Sequence, residues 1–174
     1  SPNYRIELLN VICKSLPKSL EADLNKTVLL CAAMDLTKDL VNSPSNIVDG
    51  DYLAREAGEI AHENKYKIII LTEKELKKMG WGALLAVNQG SFKEAKCIVL
   101  QYDGAKNKKQ KPIVIVGKGV IFDTGGYNLK PTNYIETMHH DMAVGATVLG
   151  LFSILKKMDV KQNVIGVIPI VENL

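Results

Sequence analysis

The sequence predicts an α/β fold, a mostly parallel sheet with helices on both faces. Short apolar runs rich in isoleucine and valine alternate with stretches of helical period, the pattern of strands interleaved with helices. Hydrophobic residues make up 47% of the chain and charged residues 24%, enough apolar surface to offset chain entropy and close a core. A glycine-rich stretch without periodicity follows one apolar run, where open α/β sheets build their sites.

Residues 5–16 place Ile6, Leu9, Ile12 and Leu16 at helical spacing. Residues 26–41 repeat the pattern through Leu29, Ala32, Ala33, Leu36 and Leu40. That helix should stop near Asn42 and Ser43, because the residue before Pro44 avoids the α region. Residues 51–64 form a third amphipathic stretch through Leu53, Ala57, Ile60 and Ala61. The run at 66–71 reads as a buried strand. Thr72 then caps a helix that ends near Gly80, with Glu75 completing a capping box. Residues 82–88 make a further short helical segment. Strands are expected at 96–102 and 112–116, and the four lysines of the intervening loop, 104–111, read as a solvated surface. Residues 117–138 hold four glycines and no period. Residues 141–157 form a helix with Ala146, Leu149, Phe152 and Leu155 inward, and 163–171 is the closing strand. The outer edge of that strand, with nothing after it as cover, is expected to recruit other chains.

At 174 residues the chain fits one domain. Its 22 basic and 19 acidic side chains leave a net charge of +3, which excludes a strongly basic nucleic-acid binder. No apolar run approaches the ~18 residues of a membrane-spanning helix, and no charged-then-apolar leader opens the chain. Cys13, Cys31 and Cys97 are too few and too widely spaced for a disulfide framework or a zinc knuckle, and read as buried, reduced thiols. The opening at Ser1 without a methionine, and the close at Leu174 directly after a strand, read as those of a fragment.

The segment from Val116 to Gly126 carries the densest chemical signal, and three readings of it compete. A phosphate loop needs Gly-Lys followed by Ser or Thr, whereas Gly119 follows Lys118. The Asp123-Thr124-Gly125 triplet after two apolar residues resembles the turn of an aspartic protease, but those enzymes are nearly all β and this chain is rich in helix. A metal site would draw on Lys118, Asp123 and Asp141, whose carboxylates suit magnesium, manganese or zinc and whose lysine ligates as a neutral amine. Plainer roles stand beside these. Asp123 can bond its own backbone in a glycine-rich turn, and Asp141 at the head of a helix can serve as an N-terminal cap. His139 and His140 fit a supporting or surface role, His62 a solvated one, and Trp81 packing.

Residues 116–131, VGKGVIFDTGGYNLKP, resemble the signature of the leucyl (cytosol) aminopeptidase family. Met138-His139-His140-Asp141-Met142 resembles that family's Met-x-x-Asp-Met before a small-residue helix. Upstream, Asn42-Ser43-Pro44-Ser45-Asn46 is similar to its Asn-x-Pro-x-Asn turn, and residues 79–87, MGWGALLAV, to its Met-Gly-x-Gly-Ala-Leu-Leu-Ala-Val run. The four motifs keep their order over residues 42–174.

The resemblance implies a dimetal aminopeptidase releasing leucine-like N-terminal residues from peptides through a hydroxide activated by two metals about 3.5–4 Å apart. It implies Lys118 and Asp141 as ligands of the second, more exchangeable ion and Asp123 as the bridge between both. Lys130 would polarise the substrate carbonyl and stabilise the oxyanion. The ions would be zinc or manganese, with magnesium or cobalt as further candidates. It also implies a cytoplasmic homohexamer with peptide substrates; neither a membrane nor nucleic acid is an expected partner. Residues 1–42 would be a helical linker or extension, and 43–174 the N-terminal part of the catalytic domain. The family's second carboxylate cluster, Asn-Thr-Asp-Ala-Glu-Gly-Arg, is absent from these residues, as is its N-terminal α/β domain. His139 stands where a lysine is common, Gly50 where a proline is common, and the run after Asp141 is less glycine-rich than usual. The residues by themselves are therefore expected to be inactive and to bind metal weakly. The alternative is a truncated or degenerate relative acting as a binding or assembly module.

Overall fold

The computed structural model describes residues 8, 10, 12, 14–107 and 109–174. The helix expected over 5–16 lies largely outside these residues, and Cys13 entirely so. Helices α1 (Leu20–Asn42) and α2 (Gly50–Asn64) precede strand β1 (Lys67–Leu71). Helices α3 (Glu73–Lys78) and α4 (Gly82–Val87) lead to strand β2 (Lys96–Asp103). Strands β3 (Ile113–Val116) and β4 (Gly119–Asp123), helices α5 (Thr132–Ile135) and α6 (Ala143–Ile154), and strand β5 (Asn163–Asn173) follow.

Local chemistry sets the boundaries. Helix α1 stops where Pro44 requires it, with Ser43 extended at ψ 140°. Asp49 caps α2 by accepting the N–H of Tyr52 at 2.9 Å. Glu75 takes both the N–H and the hydroxyl of Thr72, the reciprocal half of the expected capping box.

The sheet runs β1-β2-β5-β3, with β4 also paired to β5. It is mixed rather than mostly parallel: β2 is antiparallel to β1 and to β5, while β3 and β4 run parallel to β5. The cause is the link from β2 to β3. A short loop reverses the chain there, and β5, running with β3, enters between the two. Strand direction has no local sequence code, so alternation of elements overestimated the parallel share. The same insertion corrects a second expectation. Strand β5 lies inside the sheet, with β2 on one side and β3 and β4 on the other, so it has no bare edge. Strand β1 takes a boundary position instead. It is not the buried strand its isoleucines suggest, since Ile69 is 58% and Ile70 39% exposed.

Helices cover both faces, as expected. Alternation along β2 sends Ile98, Leu100 and Tyr102 toward Leu53, Ala57 and Ile60 of α2 and Ala146, Leu149 and Phe152 of α6. It sends Cys97 the other way, toward Leu76 of α3 and the Trp81, Leu84 and Leu85 packed there. Trp81 is thus a packing residue, and His62 is exposed. Of the described cysteines only Cys97 is the expected buried thiol, pushed up to about 11 by burial; Cys31 is exposed on α1. Helix α6 is apolar nearly all round because it lies between the sheet and α1. No helix among the described residues is long and apolar enough to cross a membrane.

Candidate functional site

Strands β3 and β4 are separated by two residues, Gly117 and Lys118. A close approach to α6 fixes this joint. A Cβ on Gly117 would fall 2.9 Å from Gly145 Cα and 2.9 Å from the Val144 carbonyl, closer than real side chains allow. Gly145 N–H donates to the Lys118 carbonyl at 2.9 Å. The contact carries Lys118 to the 3-10 turn Met138–Met142, which precedes α6 and packs against β4.

Asp141 sits in that turn. Lys118 Nζ donates to its Oδ1 at 2.8 Å and lies 2.6 Å from its Oδ2. Oδ2 is buried, and its contact with the Lys118 ammonium is an ion pair rather than an aligned hydrogen bond. Asp141 is not the helix cap suggested by its position: α6 begins at Ala143, after Met142, and has no side-chain cap bond.

Asp123 ends β4. Its Oδ1 accepts the Gly125 N–H at 2.9 Å, the backbone turn expected of it, and the Asn173 side-chain amide at 2.7 Å. Its Oδ2 accepts from Lys130 Nζ at 2.6 Å. Gly125 and Gly126, at φ 84° and 81°, reverse the chain through a region only glycine enters freely, and Lys130 N–H then closes on the Thr124 carbonyl at 2.9 Å. Lys130 is thereby returned to Asp123, with Nζ also 2.9 Å from Met138 Sδ. Burial raises the Asp123 pKa, but the bonds from Lys130, Gly125 and Asn173 outweigh it and hold the carboxyl below its usual range.

The residues singled out from sequence therefore form two lysine–carboxylate pairs, Lys118–Asp141 and Lys130–Asp123. Met138 joins them, since it touches Lys130 and belongs to the turn holding Asp141. Each lysine is brought to its carboxylate; among the described residues no group of three or more His, Cys, Asp or Glu side chains is placed to hold a metal. His139 and His140 meet each other edge to face, with ring centroids 5.7 Å apart. Sequence reasoning missed Asn173. The closing strand was expected to end at 171, whereas β5 reaches 173 and pairs Asn173 with Asp123.

The donor chemistry fits part of a divalent-cation site. The buried Asp141 Oδ2 has the Lys118 ammonium beside it at 2.6 Å, and two carboxylates with an amine are donors that suit a divalent ion. Two carboxylates and an amine are too few to complete the shells of two ions.

The catalytic-domain profile of the cytosol aminopeptidase family matches residues 35–174. A probable cytosol aminopeptidase of Cupriavidus metallidurans is 48% identical over 141 residues, 81% of this chain and 28% of that protein. One from Nitratidesulfovibrio vulgaris is 39% identical over 168 residues, 95% of this chain and 33% of that protein. Among solved structures, the bottromycin maturation enzyme BotP in complex with Mn superposes with a TM-score of 0.81 at 27% identity, covering 90% of this chain and 34% of that one. Leucine aminopeptidase of Caenorhabditis elegans gives a TM-score of 0.78 at 30% identity, covering 86% of this chain and 31% of that one. The chain thus spans about a third or less of the length of these relatives. By profile, by sequence and by fold, it belongs to the cytosol aminopeptidase family and covers part of the family's catalytic domain.

Proposed function

We propose that this chain is the first part of the catalytic domain of a metal-dependent aminopeptidase that removes leucine-like N-terminal residues from peptides. The observation that carries the reading is the pairing of Lys118 with Asp141, whose Oδ2 is buried, in a chain of the cytosol aminopeptidase family. Lys118, Asp123 and Asp141 would hold the ions, with Asp123 shared between two of them. Zinc and manganese suit this mixed nitrogen and oxygen set, with magnesium and cobalt as alternatives, and a structural relative was solved with Mn. Two divalent ions, when bound, supply Lewis acidity toward the scissile carbonyl and acidify water at neutral pH.

The remaining roles belong to the chain itself. The Lys130 ammonium, held by Asp123 Oδ2 at 2.6 Å, is fixed before any substrate arrives. A positive charge so placed favours the negative charge that develops on the carbonyl oxygen, an effect worth roughly 2.7–4 kcal/mol for one such group. Met138, against the Lys130 ammonium, limits where that ammonium can move. Residues 1–42 would act as a helical linker, and 43–174 as the catalytic portion. With three ligands for two ions, these residues alone are expected to be inactive. The working protein is expected to be a cytoplasmic homohexamer.

The test is hydrolysis by the full-length protein of a leucine-initiated peptide, free or acetylated at its N-terminus. The reading predicts cleavage of the free peptide alone, lost with a chelator and restored by Mn²⁺ or Zn²⁺. Cleavage of both peptides, or cleavage indifferent to the chelator, would contradict it.

A further inference from the structure

Building on the metal-centre reading, we infer that Asn173 is a positioning residue for Asp123: its side-chain amide anchors one carboxylate oxygen, Oδ1, to β5 and so fixes the orientation of the carboxylate. Asp123 Oδ1 accepts two bonds, from Gly125 N–H at 2.9 Å and from Asn173 Nδ2 at 2.7 Å. Oδ2 is the oxygen left facing Lys130. The Gly125 bond is local to its turn, but the Asn173 bond comes from across the sheet and fixes the carboxylate against β5.

Asn173 is itself held firmly. Its carbonyl accepts the Thr124 N–H at 2.8 Å, which extends the pairing of β4 with β5. The preceding residue, Glu172, is 7% exposed and points to the opposite face. Its Oε2 accepts from Ser91 Oγ at 2.6 Å, its Oε1 lies 3.5 Å from Lys93 Nζ, and its N–H donates to Asn88 Oδ1 at 3.0 Å. Lys93 also reaches Asp49 Oδ2 at 3.2 Å, at the head of α2. The end of β5 is thus pinned on one side by the 88–93 segment, and strand alternation turns Asn173 toward Asp123.

Groups that orient a metal-ligating carboxylate change metal affinity by about 10–100-fold. Asn173→Leu keeps the size of the side chain and removes its donor, and the strand pairing survives because it uses only backbone atoms. Mn²⁺ binding to the full-length protein is read from the free-ion electron paramagnetic resonance signal, for the wild type, Asn173→Leu, Asn173→Ala and Asp123→Ala. Both Asn173 variants should bind Mn²⁺ about 10–100-fold more weakly while melting as the wild type does, and higher Mn²⁺ should recover their lost kcat. Wild-type Mn²⁺ affinity in both variants overturns the inference. So does a fall in melting temperature that tracks the loss of affinity, which would make Asn173 a structural residue. If Asp123→Ala alone weakens binding, only the role of Asn173 fails; if Asp123→Ala also binds like the wild type, the metal-centre reading fails with it.

Discussion

Gly145→Ala sets helix propensity against packing at the joint that places Lys118. Alanine is favoured over glycine by up to about 1 kcal/mol inside a helix, and by less in a first turn such as this one. Against that, the new Cβ would lie 2.9 Å from the Lys118 carbonyl and 3.0 Å from Ile168 Cγ2. Neither neighbour can swing away, because one is backbone and the other is fully buried in the sheet. Overpacking of this kind costs about 1–3 kcal/mol. The hydrogen bond from Gly145 N–H to the same carbonyl must also lengthen, at a loss of about 0.5–1.5 kcal/mol. Packing wins, with a net loss of about 2 kcal/mol, which in a chain of this size lowers Tm by about 4–8 °C. The displacement also draws Lys118 away from Asp141, now 2.8 Å apart, so Mn²⁺ affinity should fall as well. Thermal unfolding followed by circular dichroism reads the first effect. A Tm at or above the wild-type value would show that propensity prevails and that this close approach does not constrain the site.

Two further outcomes follow from the site and its surroundings. In the full-length enzyme, Lys118→Ala should lose activity that excess Mn²⁺ partly restores, whereas Lys130→Ala should lower kcat roughly 10²–10³-fold with no rescue; the opposite pattern in kcat against Mn²⁺ concentration would reverse the two roles. Burial raises the Asp49 carboxyl, but the Tyr52 N–H and Lys93 outweigh it and hold it below its usual value. The stability it gives is therefore present above the unfolded carboxylate range, about 3.9, and lost as pH falls through the lower folded value. Asn at position 49 still caps α2 but carries no charge, so Asp49→Asn should flatten the acid limb of urea midpoints measured from pH 6 to 2; an unchanged slope would contradict the assignment.

Most helices were legible because their signals are local; α5, inside the stretch read as aperiodic, was not. Pro44 ends α1 and the Thr72–Glu75 pair opens α3, whatever the rest of the chain does. Strand β4 was not legible: its five residues sit between glycines and gain their pairing only from β5, more than forty positions away. The central place of β5 and the direction of β2 are likewise properties of the assembled sheet. At the site, residue types and motif order singled out Lys118, Asp123, Lys130 and Asp141. Their pairing was hidden, because the positive-φ glycines at 125 and 126 return Lys130 to Asp123 rather than leaving it further along the loop. Asn173 carried no chemical flag of its own and matters only through the residue opposite it.

The most direct test is anomalous diffraction from crystals of the full-length protein grown with Mn²⁺. Two anomalous peaks about 3.5–4 Å apart are expected. Asp123 should contact both, Lys118 and Asp141 should contact one, and Lys130 should stand off each. Peaks that avoid Asp123 and Asp141, or one that takes Lys130 as a ligand, would contradict the assignment of these residues to a two-ion aminopeptidase centre.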